Sequence, residues 1–127
     1  MPISITVDEP TRRMVVTARG IVSHADVVDY LTQRRDRGLL GHATLIDCGQ
    51  ADTDLTAQQI RDLTTRRRRI QRGHVVGPTA LVAERDLLFG MLRMYQILME
   101  DGVSLHVVRT CAEAERWLDE ATGTPDR

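Results

Sequence analysis

Ile3, Ile5 and Val7 alternate with Ser4, Thr6 and Asp8, the period of two that marks a strand with one buried face. Asp8-Glu9-Pro10-Thr11 breaks it, and Met14 to Ala18 resumes as a second strand closed by Gly20, so a hairpin opens the chain. The period then lengthens. Ser23 with Asp26 makes a capping pair and Val22 with Val27 the matching hydrophobic staple, which predicts a helix running to Arg37 and stopping at Gly38. Ala43 to Cys48, between Gly41 and Gly49, reads as a buried strand, with Gly49 to Asp54 as the loop after it. Thr56 with Gln59 and Leu55 with Ile60 repeat the cap and staple, so a second helix extends to Arg72.

Thr79 to Ala83 predicts a third buried strand after Gly77-Pro78. A strongly apolar helix follows from Leu87 to Met99 and ends at Asp101-Gly102. Val103 to Val108 predicts the last strand, and Thr110 with Glu113 caps a final helix whose Ala114, Trp117, Leu118 and Ala121 fall on one stripe. Residues 1–122 are expected to form one domain, with 123–127 as a frayed tail. The order ββαβαβαβα, alternating after the hairpin, implies an α/β fold: a mixed, mostly parallel sheet with an antiparallel N-terminal hairpin.

The helix from Leu87 to Met99 is apolar except at Gly90, Arg93 and Gln96. On a helical wheel, Leu87, Leu88, Met91, Leu92, Met94, Tyr95, Leu98 and Met99 fill an arc of roughly 160°, wider than the 100° or so that one core face requires. Phe89 and Ile97 fall outside it. Phe89, Gly90, Met94 and Ile97 therefore mark a candidate interface or apolar pocket: methionines adapt to irregular partners, and Gly90 lets another backbone approach.

Composition narrows the function. The net charge of −1, with all 17 basic residues arginine, lacks the basic excess of a nucleic-acid binder. Arg66 to Arg69 point in four directions around their helix. Arg67 falls on the buried stripe with Ile60 and Leu63, and is expected to run its stem over the core and bring its guanidinium out at the helix end. The apolar run is too short and too charged at its flanks for stable membrane insertion. With no signal-like start and two distant cysteines, Cys48 and Cys111, a cytoplasmic location is expected. Both cysteines read as small buried hydrophobes; a helix N-terminus near Cys111 can lower a thiol pKa, but no acid-base partner accompanies it. No His/Cys spacing suits a metal, no glycine-rich loop suits a nucleotide, and no nucleophile and base pair emerges, so neither a metal nor a cofactor nor catalysis is expected.

The segments Leu45 to Ile60 (LIDCGQADTDLTAQQI), Asp86 to Tyr95 (DLLFGMLRMY) and Thr110 to Leu118 (TCAEAERWL) resemble the SpoIIAA-like proteins. This is the fold of the STAS domains of anti-sigma factor antagonists and sulphate transporters, and the segments are similar to its uncharacterised SpoIIAA-like branch. The resemblance implies a non-enzymatic regulatory or protein-interaction module with a protein partner, and the apolar excess of the third helix points to a homodimer through that helix. Lipid-binding domains of the same fold class imply the alternative, a carrier of a small apolar or lipid-like ligand in a Met-rich pocket. Antagonists of this fold carry a regulatory serine at the start of the second helix, where this chain reads Asp52-Thr53-Asp54-Leu55-Thr56. Thr53 and Thr56 are the candidate phosphosites there, although an N-cap role already accounts for Thr56. In parallel sheets ligands gather at the carboxyl ends of the strands, which nominates Asp47, Asp54, Thr56, Arg85, Asp86 and Arg109 as a ligand or partner edge.

Overall fold

Two local devices start the first two long helices, and both are formed as the sequence predicts. In the computed structural model, which describes residues 3–99 and 104–123, Ser23 Oγ accepts the Asp26 amide at 3.2 Å while Asp26 returns the bond to the Ser23 amide at 2.9 Å. Thr56 and Gln59 make the same reciprocal pair at 3.1 and 2.9 Å. Each such cap contributes about 1 kcal/mol and fixes where the chain leaves the sheet.

The elements are β1 (Ile3–Asp8), β2 (Arg13–Val22), α1 (His24–Asp36), β3 (Ala43–Thr53), α2 (Ala57–Gln71), β4 (Thr79–Val82), α3 (Asp86–Leu98), β5 (Leu105–Val108) and α4 (Cys111–Ala121). The Gly123–Arg127 tail and the Asp101-Gly102 helix stop fall largely outside the described residues, as does Val103 of the predicted last strand. β1 pairs antiparallel with β2 and the remaining pairs are parallel. The sheet order is β1-β2-β3-β4-β5, identical to the chain order. Ile5, Val16, Ile46, Leu81 and Val107 stand in register as one row across all five strands. On that face they meet Tyr30 and Leu31 of α1, Ile70 of α2, and Phe89, Leu92 and Tyr95 of α3. The opposite face packs Leu45, Ala80, Val82 and Val108 under Ala114, Trp117 and Leu118 of α4, where the His106 and Trp117 rings stack at 5.4 Å.

Three expectations are corrected. β2 does not close at Gly20 but continues to Val22, and β3 absorbs the predicted loop as far as Thr53. The two extensions stabilise each other: Arg19, Gly20, Ile21 and Val22 pair with Gln50, Ala51, Asp52 and Thr53 after a register shift between Thr17 and Arg19. Turn-like composition yields here to ladder hydrogen bonds and to burial of Ala51 against Val22, Ala83 and Leu88.

α3 is turned about its axis relative to the predicted arc, by roughly 60° on a wheel of 100° per residue. Leu87, assigned to the buried arc, is 68% exposed, whereas Phe89, assigned outside it, packs against the core. Gln96 explains the direction. Its Oε1 accepts the Val107 amide of β5 at 3.0 Å, and this bond holds the Phe89–Gln96 side toward the sheet.

The third correction concerns Arg67. Its guanidinium does not reach solvent; the residue is only 5% exposed and lies between α2 and α3.

Candidate functional site

The predicted edge at the carboxyl ends of the strands is built of groups that satisfy one another. Arg85 Nη1 binds Asp52 at 2.9 Å, and Arg109 Nη1 binds Asp86 and the Glu84 carbonyl, each at 2.9 Å. Asp47 accepts the Gly49 amide at 2.9 Å. Asp54 and Thr56, which follow Asp52 in the chain, are exposed, and Thr56 is occupied by its cap. Thr53 Oγ1 donates to the Val22 carbonyl at 2.7 Å and accepts the Leu55 amide at 3.2 Å, so it ties the end of β3 to β2.

Topology explains why this edge is filled. Ligand crevices open at strand ends where the strand order reverses and successive crossovers lie on opposite faces. Here the order never reverses, and α1, α2 and α3 all lie on one face.

Cys111, the first residue of α4, does not gain the acidity expected of a helix start. Partial burial, and then the nearby Asp47, raise its pKa above the ordinary value. Among the described residues no group of three or more His, Cys, Asp or Glu is arranged to hold a metal.

The open space lies instead beneath the three helices. A cleft of about 120 Å³ is floored by Val16 and Ile46, walled by Tyr30 of α1, Leu63 and Arg67 of α2, and Met91, Leu92 and Tyr95 of α3. The half-buried Asp52, Thr53 and Leu55 form its rim. Of the methionines expected to line a pocket only Met91 does so; Met94 lies on the outer side of α3 and Met99 is fully buried in the core. Phe89, Gly90, Met94 and Ile97 are thereby divided. Phe89 faces inward, while Gly90 and Ile97 are exposed, and a Cβ added at Gly90 would meet nothing within 4 Å.

The cleft has a charged wall residue in Arg67, and a second buried arginine, Arg34, lies outside its lining. Arg34 is 0% exposed and donates to the carbonyls of Leu39, Leu40 and His42 at 3.2 to 3.3 Å, which anchors the loop after α1. Burial lowers its pKa, and the neighbouring Arg67 charge acts in the same direction. Arg67 makes a single side-chain bond, from Nη1 to the Tyr95 hydroxyl at 3.4 Å. Arg67 Nη2 is buried without a hydrogen-bond partner. A signal for this cluster was present: Arg34 continues the Val27, Tyr30, Leu31 stripe and Arg67 the Ile60, Leu63 stripe, each at apolar helical spacing.

No protein-family model matches the chain, and no curated protein matches it. Solved structures do. A DUF3478-family protein of SpoIIAA-like fold from Shewanella loihica superposes with a TM-score of 0.58 at 18% identity, covering 91% of each chain. The anti-sigma factor antagonist SpoIIAA in its unphosphorylated form superposes with a TM-score of 0.54 at 13% identity, covering 95% of this chain and 98% of that one. At such identities the likeness is one of fold. The chain has the SpoIIAA-like fold that its segments resemble, with the expected element order and sheet.

Proposed function

We propose that this SpoIIAA-like fold serves as a non-catalytic binding module that holds a small apolar molecule in the cleft beneath α1, α2 and α3. The observation that carries this reading is the cleft itself, about 120 Å³ in volume and walled by aliphatic and aromatic side chains from the sheet and all three helices. A dry apolar cavity of similar size is sufficient to take up a benzene-sized guest. Concave, mainly apolar sites with a few polar groups are the usual form of small-molecule sites. The paired charges at the strand ends leave that edge as a structural seam, and no constellation there suggests bond-breaking chemistry.

Titration with the fluorescent probe N-phenyl-1-naphthylamine tests this. Saturable enhancement in the wild type, lost when Leu63→Trp fills the cleft in a protein that still unfolds cooperatively, is the expected result. Absence of saturable binding by the wild type overturns it.

A second reading, a protein-interaction module that self-associates through α3 as a regulatory domain, is favoured by one observation. Leu87 and Ile97, 68% and 61% exposed, share the outer side of α3 with Gly90 and Met94. Sedimentation equilibrium decides it: a dimer that Ile97→Asp dissociates supports the reading, and a monomer at high concentration removes it.

A further inference from the structure

Arg67 is a buried cation with one guanidinium nitrogen, Nη2, left without a hydrogen-bond partner. It lines the apolar cleft, it is almost wholly buried, and its one side-chain bond runs to a neutral hydroxyl at the long end of the hydrogen-bond range. An arginine carries five N–H donors and stays protonated under all ordinary conditions. Among the described residues no ion pair engages either Arg67 or Arg34.

Tyr95, which takes the one Arg67 side-chain bond, and Tyr30 line the same cleft as Arg67. The cleft therefore carries one buried positive charge, that of Arg67, whose Nη2 has no hydrogen-bond partner and which no ion pair among the described residues neutralises. Arg34 has a structural role that accounts for its burial, since it holds three carbonyl groups of the loop after α1. Arg67 has no equivalent set of acceptors. Burying a cation without an anion is unfavourable, and an anion arriving in the same low-dielectric space would be bound strongly.

Nothing else at the cleft opposes an anion. Among the described residues Asp52 is the only acidic one lining it, and its charge is matched by Arg85 at 2.9 Å. The remaining walls are almost entirely aliphatic or aromatic. From these placements we infer that the ligand of the cleft is an anionic amphiphile with a single carboxylate head: an apolar body of medium chain length lies against Val16, Ile46, Leu63 and Leu92, and its carboxylate pairs with the Arg67 guanidinium. The Tyr95 and Tyr30 hydroxyls are the additional donors within the same pit. The cleft volume, near that of a benzene-sized guest, fits part of such a chain, with the remainder passing out at the Thr53 and Leu55 rim.

The assignment rests on the cleft being a ligand site, and the test separates the two. Calorimetric titration near neutral pH compares decanoate with decanol, which share a chain and differ in head-group charge. Decanoate is expected to bind about tenfold or more tightly than decanol, and Arg67→Met to abolish that preference while decanol still binds. Because Arg67→Met alters a buried residue, a second measurement needs no variant. The carboxyl carbon of bound [1-13C]decanoate, followed by NMR, is expected to stay ionised to lower pH than in free decanoate. Equal affinity for the two probes, or a bound carboxyl that titrates at or above its free value, overturns the anionic assignment and leaves the apolar-ligand reading standing. Binding of neither probe overturns both.

Discussion

Arg109 holds its guanidinium carbon 4.0 Å from the centroid of the Phe89 ring, so the side chain at the end of β5 covers the one aromatic residue in the first turns of α3. The same guanidinium donates to the Glu84 carbonyl and to Asp86, both at 2.9 Å. Asp86 is highly exposed, and a solvated ion pair of that kind contributes little. The stacking on Phe89 is the stronger of the two restraints, at about 1 kcal/mol. Phe89→Leu and Arg109→Gln are each expected to lower stability by about 1 kcal/mol. In the double variant the losses should fall short of their sum, because both remove the same contact. Urea unfolding of the four proteins measures this coupling, and strict additivity would show that the two side chains act independently.

Two glycines of this chain should respond in opposite directions to the same substitution. A Cβ at Gly77 would stand 2.5 Å from the His42 carbonyl oxygen and 2.6 Å from that of Gly41, so the chain passes too close to its neighbour there for any side chain. Gly77→Ala is expected to destabilise by about 2 kcal/mol or more, through displacement of backbone in a packed segment. Gly90 lies within α3 with open space where its Cβ would be. Gly90→Ala is expected to stabilise by about 0.5–1 kcal/mol, the helix-propensity difference. Thermal unfolding of the two variants checks both signs.

Cys48 lines the cleft, and burial, assisted by the neighbouring Asp47 charge, pushes its thiol up to about 12. The unfolded thiol ionises near 9.0. Below that value both states are neutral and the group makes no difference. Above it the unfolded chain loses its proton first, so stability falls as pH rises from about 9 toward about 12. Cys48→Ala is expected to flatten that decline in a urea-unfolding series. At neutral pH, iodoacetamide should modify the exposed Cys111 before Cys48, as peptide mass spectrometry would record.

Asp62 works at the opposite end of the pH scale. Its carboxylate receives Arg66 Nε at 2.9 Å and contacts His24 Nε2 at 2.7 Å, and these hydrogen bonds, Arg66 first, hold its pKa below the ordinary 3.8. Its contribution is fully present above the ordinary value and is lost as pH falls through the depressed one. The stability difference between wild type and Asp62→Asn should therefore be largest near neutral pH and shrink in strong acid. A difference that grows in acid would contradict this assignment.

The order and type of the elements were legible because their signals are local. Ser23 with Asp26 and Thr56 with Gln59 declare helix starts within four residues, and Ile3, Ile5 and Val7 declare a one-faced strand within five. What was not legible depends on partners distant in sequence. Gly49 to Asp52 has turn composition and becomes strand only because Arg19 to Val22 lies alongside it. The facing direction of α3 was misread because apolar weight alone places Leu87 inside. The bond from the Val107 amide to Gln96, a polar residue given no weight, sets the rotation. The pocket expected around Phe89, Gly90, Met94 and Ile97 is not where the cleft lies, since none of these four lines it. Arg34 and Arg67 sit on apolar stripes, and an arginine at such a position has two outcomes, reaching water or remaining inside, which the spacing of one helix does not separate.

The identity of sheet order and chain order has a kinetic consequence. Every strand after the first hydrogen-bonds to the strand immediately before it in the chain, so no pairing waits for a segment synthesised later. The β1–β2 hairpin is a local nucleus, and each later strand closes only the loop that contains its own crossover helix, a modest entropic cost per addition. Such a sheet can grow in the direction of translation, one strand and one helix at a time, with β1 as its fixed edge and the newest strand as the edge that grows.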